Sequence, residues 1–334
     1  MIKNQINLNF QLTPGYIAGL TQTDGSISCG IVISNNNNIS FVPSFNITMD
    51  LDSKYVLEAI QKYLGCGRIQ ININNYTVDY IVTVRSDLIN IIIPFFKEYK
   101  LFGPKLHAFK LFVKIIETLK DGPKSLTRVR GADNKKELVI MALSMNKTTF
   151  RKEERFQDIK VALGMKKDNK LPLIPNMEIS IEHEISNDTI AGIIDGDGSF
   201  WVSFSAIGQI RTGFSITADV ASVPLLNAIR NRFNNVGSIL SKKITYSTYY
   251  VHGINQIVET IIPFMDKNPI FSERANHYNI FKEVSLILYN KKSLNLEDKL
   301  FILDLAYDSN KNGKRRRFSK EEYINILHSK NKDK

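Results

Sequence analysis

The sequence is poor in the residues from which disulfide, zinc and membrane proteins are built. It holds two cysteines, Cys29 and Cys66, far apart and without a CxxC pair. A disulfide framework or a thiolate zinc site is therefore not expected, and both thiols are read as core residues in a reducing compartment. The five histidines, His107, His183, His252, His277 and His328, are scattered without metal-ligand spacing. No apolar run approaches the roughly 18 residues of a membrane span. The longest, around residues 89–93, stops at Pro94. Residues 1–11 carry one lysine, no arginine and no apolar centre, so neither a secretory nor a transit peptide is expected. Acids are also in the minority: 33 Asp and Glu against 44 Lys and Arg, a formal net charge of +11. That excess points to a polyanionic partner.

What is present is a phrase written twice. Residues 17–26 read IAGLTQTDGS, and residues 190–199 read IAGIIDGDGS. Each is a run of small and apolar residues ending in an acid, then Gly-Ser, then an alternating stretch. Later matches share one offset of 169 residues: Phe45 with Phe214, Ile93-Pro94-Phe95 with Ile262-Pro263-Phe264, and Phe102 with Phe271, which sets Lys105 opposite Arg274. A period of half the chain means a duplicated domain and not a solenoid.

Thr13-Pro14 is a helix start, since Thr serves as N-cap and Pro is tolerated at the first helical position. Gly15, Ala18 and Gly19 would let another backbone approach that helix closely. After Asp24 the pattern switches to period two: Ile27, Cys29, Ile31 and Ile33 on one face, then Phe41, Pro43, Phe45 and Ile47 in a second strand. One apolar and one polar face predict an antiparallel sheet packed on one side. Residues 51–64 read as a helix closed by Gly65. Two further strands precede helices over 87–99 and 105–119. Each half is thus an αββαββα unit, and the fold class is α+β. The boundaries expected are residues 1–120, an inter-repeat segment 121–186 with a helix over 136–145, a second repeat 187–290, and a basic helical tail 291–334. The tail carries Lys314, Arg315, Arg316 and Arg317, and a capping box of Ser319 with Glu322.

Taken singly, each piece has a plain explanation. Asp-Gly is a common turn, small residues pack any helix, and Ser and Thr solvate any sheet. Asp195-Gly196-Asp197-Gly198 lacks the spacing and terminal Glu of a calcium loop. The joint recurrence favours chemistry. If the two small-residue faces pack together, Asp24 and Asp197 become neighbours, and two such carboxylates need a cation or a proton between them. Mg²⁺ takes oxygen ligands and substrate phosphate, and can activate water for phosphodiester hydrolysis.

The doubled phrase and the strands after it resemble the LAGLIDADG homing endonucleases, over roughly residues 10–120 and 185–290. The resemblance implies motif helices packed at a pseudo-twofold interface and two four-stranded antiparallel sheets forming a DNA-binding saddle. It implies that Asp24 and Asp197 are the catalytic acids and metal ligands, with the backbone carbonyls of Thr23 and Gly196 helping to hold the ions. Lys105, and Arg274 in the second position, would lie near the scissile phosphates. Outward strand residues would contact DNA: Ser28, Ser34, Ser40, Ser44, Asn46, Thr48, Arg68, Gln70, Asn72 and Arg85 in the first half. In the second they are Trp201, Ser203, Ser205, Gln209, Arg211, Ser215, Thr217, Lys242, Tyr250 and His252. Arg and Lys suit guanine edges, Asn and Gln suit adenine edges, and Ser and Thr discriminate less.

The implied activity is cleavage of both strands of a long, non-palindromic DNA site by Mg²⁺-dependent hydrolysis, leaving short 3′ overhangs. Ca²⁺ would occupy the site without supporting cleavage. The sixth motif position is Asp195 in one copy and Gln22 in the other, an inequality that suits a non-palindromic target. Thr23 also departs from the small residue usual at the seventh. The alternative is a maturase that binds its host intron RNA and assists splicing, with or without cutting. A DNA-binding scaffold without chemistry is disfavoured because both acids are present. The Ile-, Asn- and Lys-rich composition hints at an AT-rich organelle genome. With the resemblance, it implies a mitochondrial, intron-encoded protein of fungal type, ahead of a plastid one, acting as a monomer with no membrane partner.

Overall fold

A computed structural model describes residues 11–120, 132–145, 153–166, 168–175, 184–241, 245–291, 293–309 and 318–332. The chain divides into two compact units, one spanning Gln11–His183 and one spanning Glu184–Lys334. Each holds one four-stranded antiparallel sheet.

In the first unit α1 runs Pro14–Asp24 and leads without a loop into β1, Gly25–Ile33. Thr13 caps the helix, its hydroxyl accepting from the Tyr16 amide at 3.2 Å, with Pro14 in the first turn. β2 (Ile39–Asp50), α2 (Lys54–Leu64), β3 (Arg68–Asn72) and β4 (Thr77–Val82) follow. The sheet order is β1-β2-β4-β3. Residues of β1 and β2 alternate between buried and exposed, as their period-two patterning requires. Phe41, Phe45, Ile47, Val78, Tyr80 and Val82 point inward and are fully buried, along with Val56, Leu57 and Ile60 of α2. A side chain of this size contributes about 1.5–3 kcal/mol on burial, so the apolar stripe is enough to seat α2 on the sheet.

β4 stops at Val82, three residues short of the sequence reading. β3 begins at Arg68, opposite Ile81, so residues beyond Val82 have no ladder partner on that side. The chain turns instead into α3, Arg85–Asp87. A π-helical turn over Leu88–Ile92 separates α3 from α4, Ile93–Glu98. Pro94 offers no amide and its ring clashes with the carbonyl four residues earlier, and a widened turn relieves both. The second unit repeats this at Ile257–Ile261, ahead of Pro263. α5 spans Gly103–Lys120.

Two more helices pack on this unit. α6, Ala132–Ser144, lies against α5 and β1, near the helix expected over 136–145. α7, Glu153–Ala162, was not evident from periodicity. It lies against β1, where Arg155 donates to the Ile31 carbonyl.

The second unit follows the same plan. α8 (Asn187–Asp197), β5 (Gly198–Phe204), β6 (Ile210–Asp219), α9 (Val223–Arg232), β7 (Ser238–Leu240) and β8 (Tyr246–Val251) form a sheet of order β5-β6-β8-β7. α10 (Ile254–Gln256) and α11 (Ile262–Lys267) flank the π turn, and α12 spans Arg274–Asn290. Phe200 stacks on Phe214 at 5.2 Å between centroids, and Phe214 meets Tyr249 edge-on at 6.3 Å. α13 (Leu296–Ser309) and α14 (Lys320–Lys332) bury Leu303, Tyr323 and Leu327 together, with Phe204 of β5 packed against them. The Ser319–Glu322 capping box forms as expected, with bonds of 2.7 and 3.1 Å. The basic run at residues 314–317 lies outside the described residues. Both cysteines are free; Cys29 is buried and Cys66 half-buried, its thiol pushed up by burial. No helix among the described residues is long and apolar enough to cross a membrane.

Candidate nucleic-acid interface and its acid-bearing helix ends

Each motif helix ends on its acid, and the strand begins at the next residue. The turn is sharp because the following residue is glycine. A Cβ on Gly25 would stand 2.4 Å from the Thr21 carbonyl oxygen, and one on Gly198 would stand 2.4 Å from that of Ile194. Glycine is thus required by close approach, since neither φ is positive. The turn leaves Asp24 half-buried and Asp197 exposed, each at the head of its sheet.

A cation from far along the chain returns to each turn. Lys105 of α5 donates through Nζ to the Gly25 carbonyl, 80 residues away. Arg274 of α12 makes a fuller contact. Its Nε donates to the Asp195 carbonyl at 2.8 Å, Nη2 to Gly196 at 2.6 Å and Nη1 to Gly198 at 2.5 Å. Carbonyls at a helix C-terminus carry partial negative charge and lack intrahelical donors, so a guanidinium suits the place. The expected pairing of Lys105 with Arg274 across the repeats is thereby given a geometry within each unit.

The unequal sixth motif positions do one job by two chemistries. Gln22 accepts from the Phe102 amide at 2.9 Å and donates to the Phe102 carbonyl at 3.1 Å. Asp195 is 1% exposed and accepts from the amides of Phe271 (2.7 Å) and Ser272 (3.0 Å), and from the Ser272 hydroxyl. Each side chain ties its motif helix to the segment that opens the helix bearing Lys105 or Arg274. The sequence reading missed this brace, although the shared offset of Phe102 and Phe271 contained the signal.

Among the described residues no three His, Cys, Asp or Glu converge as a metal cluster. Each unit instead offers one carboxylate, Asp24 or Asp197, beside helix-end carbonyls. Such a set of hard oxygen donors fits Mg²⁺, which keeps several waters and is completed by substrate phosphate. The Gly196 carbonyl already accepts from Arg274, but a carbonyl has a second lone pair.

The outward sheet faces carry most of the expected contact residues. Ser28 and Ser44 are register partners joined at 3.0 Å. Ser40, Asn46, Thr48, Arg68, Gln70 and Asn72 share their face by register. Trp201, Ser203, Arg211, Ser215, Thr217 and Tyr250 share the corresponding face of the second sheet, although Ser215 is buried. Ser34, Ser205, Gln209 and His252 lie just beyond strand ends, and Ser205 and Gln209 close the β5–β6 turn. Arg85 is a correction. It begins α3 instead of extending β4, and its Nη2 is buried without a hydrogen-bond partner among the described residues. Lys242 lies outside the described residues. Ser26, Asp79, Thr77, Ser199, Ser238 and Thr248 share these faces by the same alternation although they are not among the expected contacts. Asp79, register partner of Thr48, accepts from the Thr48 hydroxyl at 2.5 Å.

The profile of the family described as LAGLIDADG endonuclease matches residues 17–116 and 190–285, more than half of the chain. The chain belongs to the LAGLIDADG endonuclease family. Relatives of this LAGLIDADG endonuclease include the "Probable intron-encoded DNA endonuclease 1" of Mycosarcoma maydis, 26% identical over 80% of this chain and 97% of that protein. "Probable intron-encoded endonuclease 2" of Neurospora crassa is 27% identical over 85% of this chain and 62% of its own length. Among solved structures, the meganuclease I-SmaMI bound to an uncleavable DNA superposes with a TM-score of 0.78 at 25% identity, over 91% of this chain and all of that one. I-LtrWI bound to target DNA shares the fold, with a TM-score of 0.77 at 24% identity over 91% and 98% of the two chains. The doubled LAGLIDADG fold is therefore common to all three.

Proposed function

We propose that this LAGLIDADG endonuclease cuts both strands of a long, non-palindromic DNA duplex at a defined sequence by Mg²⁺-dependent hydrolysis, as a monomer. The observation that carries the reading is the repeated helix end. In each unit an acid stands at the head of a polar sheet face, with a cation brought to the adjoining carbonyl from 76–80 residues away. Asp24 and Asp197 would hold Mg²⁺, with the Thr23 and Gly196 carbonyls as further oxygen donors. Bound there, the ion supplies charge neutralisation at the phosphate and a more acidic water. Lys105 and Arg274, kept in place by Gln22 and Asp195, set positive charge where the leaving oxygen develops negative charge. The outward residues of both sheets would contact the bases, and Asp79 suits a cytosine amino group. The structure of I-SmaMI bound to uncleaved DNA target in the presence of calcium ions supports a divalent ion and a duplex as ligands of this fold. Relatives named for intron-encoded endonucleases, and one for an ND4 intron, support a mitochondrial gene.

Selection from a randomised duplex library under Mg²⁺, with the two strands labelled separately, tests the reading. The wild type should yield one asymmetric site cut on both strands. Asp24→Asn and Asp197→Asn should each reduce cleavage by at least about a hundredfold while leaving binding in Ca²⁺. Binding without cleavage by the wild type in Mg²⁺ would refute the endonuclease and direct attention to intron splicing.

A further inference from the structure

Among the differences between the two sheets, one falls on a cross-strand pair at matched positions. Ser28 and Trp201 both lie four residues beyond their motif acids, and Ser44 and Gly213 are related by the common offset of 169. Each pair is in direct register across the first two strands of its sheet. In the first unit the pair is polar, two serine hydroxyls 3.0 Å apart. In the second, the indole of Trp201 lies across Gly213. A Cβ there would fall 2.0 Å from Cζ2, 2.4 Å from Cε2 and 2.5 Å from Cη2 of the ring. The glycine is therefore the indole's seat.

This pair is on the outward face. Phe200 and Phe214, the neighbours of Trp201 and Gly213 in sequence, point the other way into the core. The ring remains partly exposed and has Ser203 and Arg211 as the next register pair along the same face. An aromatic ring over a cross-strand glycine also has a packing role, shielding the bare backbone. Yet it leaves an apolar plate on the two strands that follow the motif helix, where its outward neighbours are Ser199, Ser203, Arg211 and Ser215; the other exposed apolar residue of this face, Leu240, lies on the far edge strand β7. In the major groove the apolar group on offer is the C5-methyl of thymine.

We propose that Trp201, seated on Gly213, is a specificity-determining residue that selects a pyrimidine C5-methyl group, thymine's in particular, in the half-site read by the second unit. This rests on the functional reading above. The matched Ser28–Ser44 pair offers no such plate at the equivalent place, the exposed apolar residues of that face, Val32 and Val42, lying further along the strands, so the target's asymmetry is in part built into these four positions.

The test uses the full chain with Ca²⁺ and the duplex selected from the library. Each thymine is replaced singly by deoxyuridine, and at the responding position cytosine and 5-methylcytosine are compared. Loss of the methyl at one thymine should weaken binding about fourfold, the effect of one buried methyl-sized group. Adding the methyl to cytosine there should recover a similar factor. Trp201→Ser combined with Gly213→Ser installs the serine pair of the first unit and should bind thymine and uracil duplexes alike. A wild type indifferent to every uracil substitution overturns the proposal without needing a variant. So does a methyl preference that survives in the double variant, checked for folding by thermal melting. Failure to select any defined site would instead overturn the functional reading, and this proposal with it.

Discussion

Removing the Asp195 carboxylate should damage the second unit more than any comparable change in the first. The side chain is 1% exposed and receives two backbone amides and a hydroxyl at the approach to α12. Asp195→Ala leaves three donors without this acceptor, the two of Ser272 buried and the Phe271 amide partly so. At about 1–3 kcal/mol for each, reduced by relaxation and water entry, the loss should be roughly 3–5 kcal/mol. At about 2–4 °C per kcal/mol for a unit of this size, its melting temperature should fall by around 10 °C. Asp195→Asn keeps an oxygen for the amides but gives up the charge-assisted component, and should cost roughly 1–2 kcal/mol. Gln22→Ala, at the matched position, removes two neutral bonds to Phe102 from a half-buried site and should also cost about 1–2 kcal/mol. Urea unfolding of the full chain, followed by calorimetry to separate the transitions, ranks the three variants. Because Asp195 aligns the segment that delivers Arg274, single-turnover cleavage should slow in Asp195→Asn even where the protein is fully folded. A ranking with Gln22→Ala at or above Asp195→Ala would refute the argument.

Four further outcomes follow from local geometry and burial. Gly67 has φ of +77°, and a Cβ there would stand 2.6 Å from the Tyr80 ring and 2.9 Å from the Ile81 carbonyl oxygen; Gly67→Ala should cost roughly 3 kcal/mol in urea unfolding. Gly164→Ala, at φ +69° with nothing within 4 Å among the described residues, should cost only about 1 kcal/mol, the left-handed conformation alone. Tyr323 is fully buried with a hydroxyl that has no hydrogen-bond partner among the described residues, and burial pushes its ionisation up to about 12; Tyr323→Phe should therefore be neutral or raise the melting temperature. Burial, and then the nearby Lys110, hold the His107 imidazole below its ordinary pKa of 6.5. The unfolded chain takes up that proton first as pH falls, so stability present above about pH 6.5 is lost below it. His107→Leu should flatten the change in urea midpoint between pH 7.5 and 5.5; an unchanged slope would assign it to other groups.

The αββαββα plan was legible because each unit's core is written in local periodicities: Phe41, Phe45 and Ile47 at period two, Val56, Leu57 and Ile60 at helical spacing. The acids were legible for a different reason, repetition, which singled out Asp24 and Asp197 from an otherwise ordinary Asp-Gly turn. α7 was missed because its only buried residue with a clear core role is Ile159, too little for a stripe. Arg85 was misplaced because alternation continues through residues 83–85, whereas a strand ends where its ladder partner ends.

By itself, then, the sequence determined the two units, their sheets and the place of one acid at the end of each motif helix, since all of these follow from patterns within a few turns or from copying. Tertiary structure alone decided what stands beside each acid. Lys105 and Arg274 reach their helix ends from 76–80 residues away, through the braces of Gln22 and Asp195. Nothing in local periodicity encodes a hydrogen bond closed over that distance; it exists only once the core has packed and carried the two segments together.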